Sequence, residues 1–286
     1  MIVRRSPDAI SPTAHYTAEV WARHGLSHPA LTTAAGRVLH AASRVPMSAS
    51  SAAGGPTLES FLLARHRLID HLLEREIAAG RVSQVLEVAC GLSPRGWRFA
   101  RRHGDAIDYV EADLPAMAAR KREALAAAGT LGERHRVVDI DALRDEGPLS
   151  LAAVATGLDP GRGVCVITEG LLNYLDRDAV EGLWARTATA LARFPHGLYL
   201  SDLHLARENT GPLAAGFVRA LSVFVRGRVH LHFGDAAEAR LALERAGFAD
   251  ARLHRPPDFA GEIEVEGRGA EVVRLIEAWT TGSDPL

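Results

Sequence analysis

The sequence contains only two cysteines, Cys90 and Cys165, among its 286 residues. Both lie in apolar runs that predict buried strands, so they are expected to be small core residues in a reducing compartment, with no disulfide framework. No stretch reaches the roughly 20 consecutive apolar residues that a transmembrane helix needs. The N-terminal segment has a basic pair but no apolar run typical of a signal peptide. These features predict a cytoplasmic protein.

The chain also lacks an excess of charge of either sign. Lys and Arg number 33 against 35 Asp and Glu, which gives a formal net charge of −2. No overall field therefore attracts a nucleic acid or an anionic bilayer. The expected partner is a small molecule, with no nucleic acid and no membrane, and the oligomeric state is left open.

Three common catalytic motifs are missing. None of the 13 histidines forms H-x-x-x-H on a predicted helix or a Cys/His set with ligand spacing, so no metal site is predicted. Ser93 lies in C-G-L-S-P-R-G and not in G-x-S-x-G, which argues against an α/β-hydrolase. The dinucleotide fingerprint is incomplete, because only Gly91 and Gly96 are present and Pro94 removes an amide donor.

Short apolar runs alternate with helical segments through the middle of the chain. The runs cover residues 82–90, 106–113, 135–141, 163–170 and 197–204. This alternation predicts a doubly wound α/β fold with a mostly parallel sheet. Near the C-terminus, ARLH and EVVRLIEAWT are two further short segments. We expect the second to be an antiparallel closing strand, with a helix as the alternative.

Glycine and proline divide the N-terminal region. Helical spacing over residues 13–42 is interrupted by Gly25, Pro29 and Gly36, and the Ser/Ala/Gly stretch 47–57 predicts a mobile linker or lid loop. We therefore expect a helical N-terminal cap or lid over residues 1–56. Residues 57–286 are expected to form the main domain, with a helical insertion near 205–233.

Acidic side chains stand at the ends of three of the predicted strands, the second, third and fourth. Ligands of a doubly wound sheet bind at the carboxyl ends of its strands, so these acids are expected at one rim. Asp113 comes about 20 residues after the Gly91 turn, the spacing at which an acid reaches ribose hydroxyls. Such a rim repels a phosphate-rich ligand and favours a sulfonium ligand with a free amino group. The acids are Glu111, Asp113, Asp139, Asp141 and Glu169.

Three segments, VLEVACGLSPRGW, YVEADLP and ITEGLLNYL, resemble one family. It is the leucine carboxyl methyltransferase-like group of class I S-adenosylmethionine-dependent methyltransferases, which includes O-methyltransferases of polyketide biosynthesis. The resemblance spans about residues 65–174. It implies a Rossmann-like, seven-stranded, mostly parallel sheet and S-adenosyl-L-methionine as cofactor. It also implies O-methylation of a carboxylate or hydroxyl on a small molecule such as a polyketide-type metabolite.

The resemblance also implies roles for individual residues. Arg65 matches the arginine that binds the cofactor's methionine carboxylate, and Glu169 matches the acid near its amino group. Gly91 belongs to the cofactor loop, Asp113 holds the ribose, and Asp141 with Ala142 lies beside the adenine. Tyr174 lies close to the transferred methyl. The sequence departs from the family in having Ala89-Cys90-Gly91 in place of the usual G-x-G, and in the spacing of Asp141.

The acceptor decides whether a catalytic base is needed. A carboxylate is already ionised at pH 7 and requires none, whereas a hydroxyl requires one, for which His204 is the first candidate. In the cap, Tyr16 and Trp21 are candidate acceptor contacts. Two other classes stay open at this point: a nicotinamide-dependent oxidoreductase on a similar sheet, and a non-catalytic S-adenosylmethionine-binding protein.

Overall fold

The fold is built on one seven-stranded sheet. The computed structural model describes residues 12–52, 57–208, 230–265 and 269–280. The strands follow the order β3-β2-β1-β4-β5-β7-β6, and β7 runs in the opposite direction to the other six. They are β1 (Gln84–Val88), β2 (Asp108–Asp113), β3 (His135–Asp139), β4 (Val164–Thr168), β5 (Gly197–Leu203), β6 (Asp250–His254) and β7 (Arg274–Trp279).

This topology confirms the predicted doubly wound sheet and its antiparallel closing strand. The helix alternative for the last segment is wrong, because β7 pairs with both β5 and β6 along its length. Every residue of β1, β4 and β5 is buried, as expected for central strands covered on both faces. The chain crosses over between β1 and β4, so a crevice opens at the carboxyl ends of these two strands.

Helices cover the sheet and form the N-terminal region. Side-chain oxygens of Thr57, Asp176 and Asp235 accept hydrogen bonds from backbone amides three residues on, and so begin three of the helices. The helices are α1 (Pro12–Arg23), α2 (Ala34–Ala52), α3 (Leu58–Ala78), α4 (Arg95–His103), α5 (Pro115–Ala127), α6 (Leu151–Ala155), α7 (Arg177–Leu191) and α8 (Ala236–Ala246).

Apolar clusters fill both sides of the sheet. On one side, Trp184 of α7 stacks on Phe233 with ring centroids 5.2 Å apart. On the other side, α3 packs Leu68 and Leu72 in the same cluster as Tyr109 of β2. Helix α3 therefore lies directly against the sheet, and its polar residues are carried close to the strand ends.

The N-terminal region differs from the prediction in two places. Residues 47–52, predicted as linker, continue helix α2, since alanine and serine are tolerated in a helix. Gly36, predicted to break the helix, lies inside α2 instead. A Cβ at this position would be 2.3 Å from the His15 carbonyl oxygen, so glycine is needed for the close contact of α1 with α2. Residues 53–56 of the predicted linker lie outside the described residues.

The predicted helical insertion lies mostly outside the described ranges, which leave out residues 209–229. The segments on either side of it meet where Leu205 bridges Phe233. None of the helices in the described part of the chain is long and apolar enough to cross a membrane. Within the same ranges, no group of three or more His, Cys, Asp or Glu side chains is arranged to hold a metal ion.

Candidate active site

The turn after β1 is joined to the end of β2. Gly91 has a φ of +50°, a left-handed conformation that favours glycine. Its amide donates to Asp113 Oδ2 at 2.7 Å, while the Leu114 amide donates to Oδ1 at 2.7 Å. Burial raises the pKa of Asp113, against the lowering effect of these two amides. Each carboxylate oxygen keeps a second lone pair, so Asp113 can still accept hydrogen bonds from a diol.

A cluster of charged side chains lies beside this turn. Glu169, directly after β4, accepts from Arg65 Nε at 2.9 Å through Oε1. Its Oε2 lies 2.8 Å from His66 Nδ1 and 2.7 Å from Arg95 Nη2. Burial alone would raise the pKa of Glu169, but His66, Arg95 and Arg65 hold it well below its ordinary value. Glu169 is therefore ionised and fixed at both oxygens.

Arg65 is held in one orientation by two carboxylates. Besides Glu169, it binds Asp202 at the end of β5, where Nη1 donates to Oδ2 at 3.0 Å. Asp202 Oδ1 accepts from the Gly170 amide at 2.6 Å. Among the described residues, Nη2 of Arg65 has no hydrogen-bond acceptor, so this nitrogen can bind a further anion. A Cβ at Gly170 would be 3.0 Å from Nη2, and glycine keeps this approach open.

Arg95 lies at the centre of the cluster and is fully buried. In addition to Glu169, Nε donates to Asp70 Oδ1 at 2.6 Å and Nη1 to Glu87 Oε1 at 2.7 Å. Sequence reasoning missed Arg95, His66, Asp70 and Asp202. Arg95 stands within the C-G-L-S-P-R-G turn, and an arginine next to a buried strand that contains a glutamate was the available signal.

His66 connects two arginines to Glu169. Arg98 Nη2 lies 2.7 Å from His66 Nε2, while Arg95 Nη2 and Glu169 Oε2 each lie 2.8 Å from Nδ1. Burial and the neighbouring Arg95 lower the pKa of His66, in agreement with a neutral ring. The indole of Trp21 covers the imidazole at 4.8 Å between ring centroids.

The predicted adenine residues lie at the end of β3. Asp141 Oδ2 pairs with Arg144 Nε at 3.1 Å, and its Oδ1 accepts from the Leu143 amide at 3.3 Å. Ala142 is buried in the apolar cluster around α6 and α7, and its carbonyl accepts from Arg186 Nε at 3.0 Å. The roles of Asp141 and Ala142 beside an adenine stay predictions.

Helix α1 lies over the strand ends. The hydroxyl of Tyr174, in the short turn after β4, donates to Thr13 Oγ1 at 3.4 Å. A Cβ at Gly91 would lie 3.7 Å from the Cβ of Ala14. Tyr174 is 36% exposed, so it is available to a ligand at this rim. The start of α1 therefore covers both the Gly91 turn and the Tyr174 turn.

Two cap residues proposed as acceptor contacts are buried instead. Tyr16 is 1% exposed and stacks on His40, and Trp21 is 4% exposed against His66 and α3. The prediction for both residues was wrong, because the inner face of α1 packs on α3 and its aromatic side chains become core.

His204 follows β5 and is 2% exposed. Its Nδ1 donates to the Val272 carbonyl oxygen at 2.6 Å, which leaves Nε2 as the basic nitrogen of the neutral ring. Burial lowers the pKa of His204, and the nearby Asp202 offsets this only in part. The ring lies 5.2 Å from Phe61 between centroids. His204 is thus a weak base held near the Arg65 cluster.

The donor set at the rim fits the cofactor implied by the sequence. S-adenosylmethionine carries a carboxylate, an ammonium and a ribose diol. The unoccupied Nη2 of Arg65 suits the carboxylate, and the remaining lone pairs of Asp113 suit the diol. Gly91, with no side chain, lets the backbone approach the ligand closely. Glu169 is the predicted partner of the ammonium, and both its oxygens already bind arginine or histidine.

The sheet order and the rim define the class I methyltransferase fold. A candidate methyltransferase from Thermobifida fusca superposes with a TM-score of 0.61 at 16% identity, over 93% of this chain and 97% of that one. PigF, solved with SAH, superposes with a TM-score of 0.50 at 20% identity, over 76% of this chain and 56% of that one. At these identities, the likeness shows the fold alone.

The sequence places the chain in a family. The model of the family described as leucine carboxyl methyltransferase matches residues 20–188, more than half of the chain. The protein belongs to this family, which confirms the resemblance seen in its motifs.

Curated relatives agree with this assignment. A candidate S-adenosyl-L-methionine-dependent methyltransferase of Frankia alni is 33% identical over 57% of this chain and 55% of its own length. One from Mycolicibacterium smegmatis is 37% identical over 46% of this chain and 42% of its own. The matches span about half the length of these relatives. These relatives are named for dependence on S-adenosylmethionine, the cofactor that the sequence motifs predict here.

Proposed function

We propose that the protein is an S-adenosylmethionine-dependent O-methyltransferase whose acceptor is a carboxylate of a small molecule. The arrangement of Arg65 carries the proposal. Two buried carboxylates, Glu169 and Asp202, hold its guanidinium and leave Nη2 beside Gly170, without an acceptor among the described residues. Asp113, 2.7 Å from the Gly91 amide, presents the second polar group of the site. One end of the site thus suits an amino acid and the other a nucleoside.

The cofactor supplies an electrophilic methyl group on a sulfonium. The protein's own residues bind and orient the reactants for an in-line displacement and exclude water. Arg65 would hold the methionine carboxylate, Asp113 the ribose, and Tyr174 would line the methyl side of the site. Helix α1 closes this region by its contacts near Gly91 and Tyr174.

The state of His204 favours a carboxylate acceptor over a hydroxyl. Deprotonating a hydroxyl calls for a base with a pKa near the working pH and direct access to the acceptor. Burial lowers the pKa of His204, and its Nδ1 is bound to Val272. A carboxylate needs no base, because it is ionised at neutral pH. A polyketide-type metabolite with a free acid group is the acceptor that the resemblance suggests.

The test combines cofactor binding with product chemistry. The purified protein is titrated calorimetrically with S-adenosylmethionine, then incubated with methyl-labelled cofactor and matched panels of small carboxylic acids and phenols. We expect micromolar binding of the cofactor. We also expect mild alkali to release the methyl label from the product, because methyl esters hydrolyse and methyl ethers do not. Alkali-stable label would assign a hydroxyl acceptor.

Two outcomes would overturn the wider proposal. Binding without release of S-adenosylhomocysteine, with any acceptor of either panel, would favour a non-catalytic cofactor-binding protein. Binding of NADH in place of S-adenosylmethionine would favour an oxidoreductase.

A further inference from the structure

The Arg95 guanidinium is the group that connects the whole charged cluster. It comes from the start of α4, yet its three nitrogens bind carboxylates of three other elements: Asp70 on α3, Glu87 on β1 and Glu169 after β4. The donor to acceptor distances are 2.6, 2.7 and 2.7 Å, and the arginine is 0% exposed. Three donors fixed in one plane are specific to arginine, because a lysine ammonium cannot reach three acceptors in one plane.

Arg95 acts on Arg65 through Glu169. One oxygen of Glu169 binds Arg95, the other binds Arg65, and the two guanidinium groups do not share a hydrogen bond. If Arg95 were absent, Glu169 Oε2 would keep only the neutral His66 ring as a partner. The carboxylate would then be free to rotate, and Arg65 would lose the fixed acceptor that aims its Nη2.

We propose that Arg95 is a positioning residue for the amino-acid end of the cofactor: it fixes Glu169, and through it Arg65, without itself touching the ligand. Its side chain is fully buried beneath the rim, so it acts only through these neighbours. This inference rests on the proposed function, since it assumes that Arg65 binds the methionine carboxylate.

A pair of ligands separates this role from a general effect on folding. S-adenosylhomocysteine carries the homocysteine carboxylate and ammonium, whereas 5′-methylthioadenosine has the same nucleoside and sulfur but neither charged group. Misplacement of Arg65 should weaken the first ligand and leave the second unchanged. A loss of overall packing at the rim should weaken both ligands together.

The experiment measures both dissociation constants for wild type, Arg95→Lys and Arg65→Lys. For Arg95→Lys we expect binding of S-adenosylhomocysteine to weaken by about 10-fold or more, the size of one lost charge-assisted hydrogen bond. Binding of methylthioadenosine should change by less than about twofold. The double variant Arg65→Lys/Arg95→Lys should be no weaker than Arg65→Lys alone, because both changes remove the same contact.

Arg162→Lys is the matched control. Arg162 also binds several groups, with Nε 3.0 Å from Ser83 Oγ and Nη2 2.8 Å from the Ser83 carbonyl, and it pairs with Asp108 at the amino end of the sheet. We expect it to leave both dissociation constants unchanged. If Arg95→Lys does not fold, Asp70→Asn provides the second test. Asp70 holds Arg95 and Arg98 but contacts neither Glu169 nor Arg65, and we expect the same selective loss.

Equal weakening of both ligands, or of neither, in Arg95→Lys or Asp70→Asn would overturn the positioning role. Failure of the proposed function looks different: the wild-type protein would then bind neither adenosine ligand, or would bind both and transfer no methyl group to any acceptor.

Discussion

The amide of Gly91 lies 2.7 Å from Asp113 Oδ2, and this hydrogen bond ties the turn after β1 to the end of the neighbouring strand β2. The two residues are 22 positions apart in the chain. The bond sets the height of the turn above the sheet and orients the carboxylate that we expect to receive the ribose. A change at Asp113 should therefore weaken ligand binding in two ways, by removing the ribose acceptor and by releasing the Gly91 turn.

The first prediction concerns Asp113→Asn. An asparagine offers only one acceptor oxygen in place of two, so the Gly91 amide and the ribose hydroxyls would compete for it. We expect S-adenosylmethionine to bind about 10- to 100-fold more weakly by calorimetric titration. Asp108→Asn, at the opposite end of β2, is the control and should leave the affinity unchanged. Equal affinities of Asp113→Asn and wild type would remove Asp113 from the site.

The second prediction concerns His204→Gln. Glutamine can still donate to the Val272 carbonyl but cannot act as a base. With a carboxylate acceptor, kcat should stay within a few-fold of wild type, because no proton is removed. A hydroxyl acceptor would instead lose about 100-fold or more, the usual contribution of a general base. Initial rates with the identified acceptor, measured between pH 6 and 9, distinguish the two cases.

The third prediction concerns stability in acid. Although burial alone raises the pKa of Asp70, Arg98, His66 and Arg95 lower it to about 2, against 3.8 for the free side chain. A carboxylate with a lowered pKa stabilises the fold above its unfolded value, and this contribution is lost as the pH falls toward the folded value.

Wild type should therefore lose about 2 kcal/mol from this group between about pH 4 and pH 2. Asp70→Asn should be less stable at pH 7 and show a shallower decline in the same window. Urea unfolding at pH 7, 4, 3 and 2 provides the measurement. Parallel curves for the two proteins would mean that Asp70 does not carry the acid sensitivity.

The fourth prediction concerns Gly36→Ala. The new Cβ would lie 2.3 Å from the His15 carbonyl oxygen, so α1 and α2 would have to separate. We expect a loss of about 1–3 kcal/mol in the free energy of unfolding, typical of overpacking. Gly132→Ala is the control, because nothing lies within 4 Å of its added Cβ. Thermal unfolding of both variants would show whether the contact between α1 and α2 contributes to stability, and similar melting temperatures would argue against it.

Local sequence patterns were sufficient to predict both the family and the strands of the sheet. Buried parallel strands must be apolar on both faces, so β1, β4 and β5 are visible as apolar runs of five to seven residues. Acids at the strand ends and the Gly91 turn indicated the ligand rim, because strand ends of a doubly wound sheet converge. The helix starts at Thr57 and Asp176 follow from side chains that cap backbone amides.

The N-terminal helices were harder to predict, because weak local preferences there yield to packing. Residues 47–52 have the composition of a linker, yet they continue α2. Tyr16 and Trp21 are amphipathic side chains that suit a ligand or a core equally well. Only the contact of α1 with α3 decided that they are buried.

The sequence by itself determined which segments form strands and that acids stand at several of their ends, since each depends on neighbouring residues or on periodicity. Tertiary structure alone decided how the buried charges pair. Arg65 and Glu169 are 104 positions apart, and Arg65 and Asp202 are 137 apart. No local pattern links them. Their pairing arises only because α3 packs against β5 and β7 and so brings Arg65 to the ends of β4 and β5, where buried carboxylates need charged partners within hydrogen-bond distance.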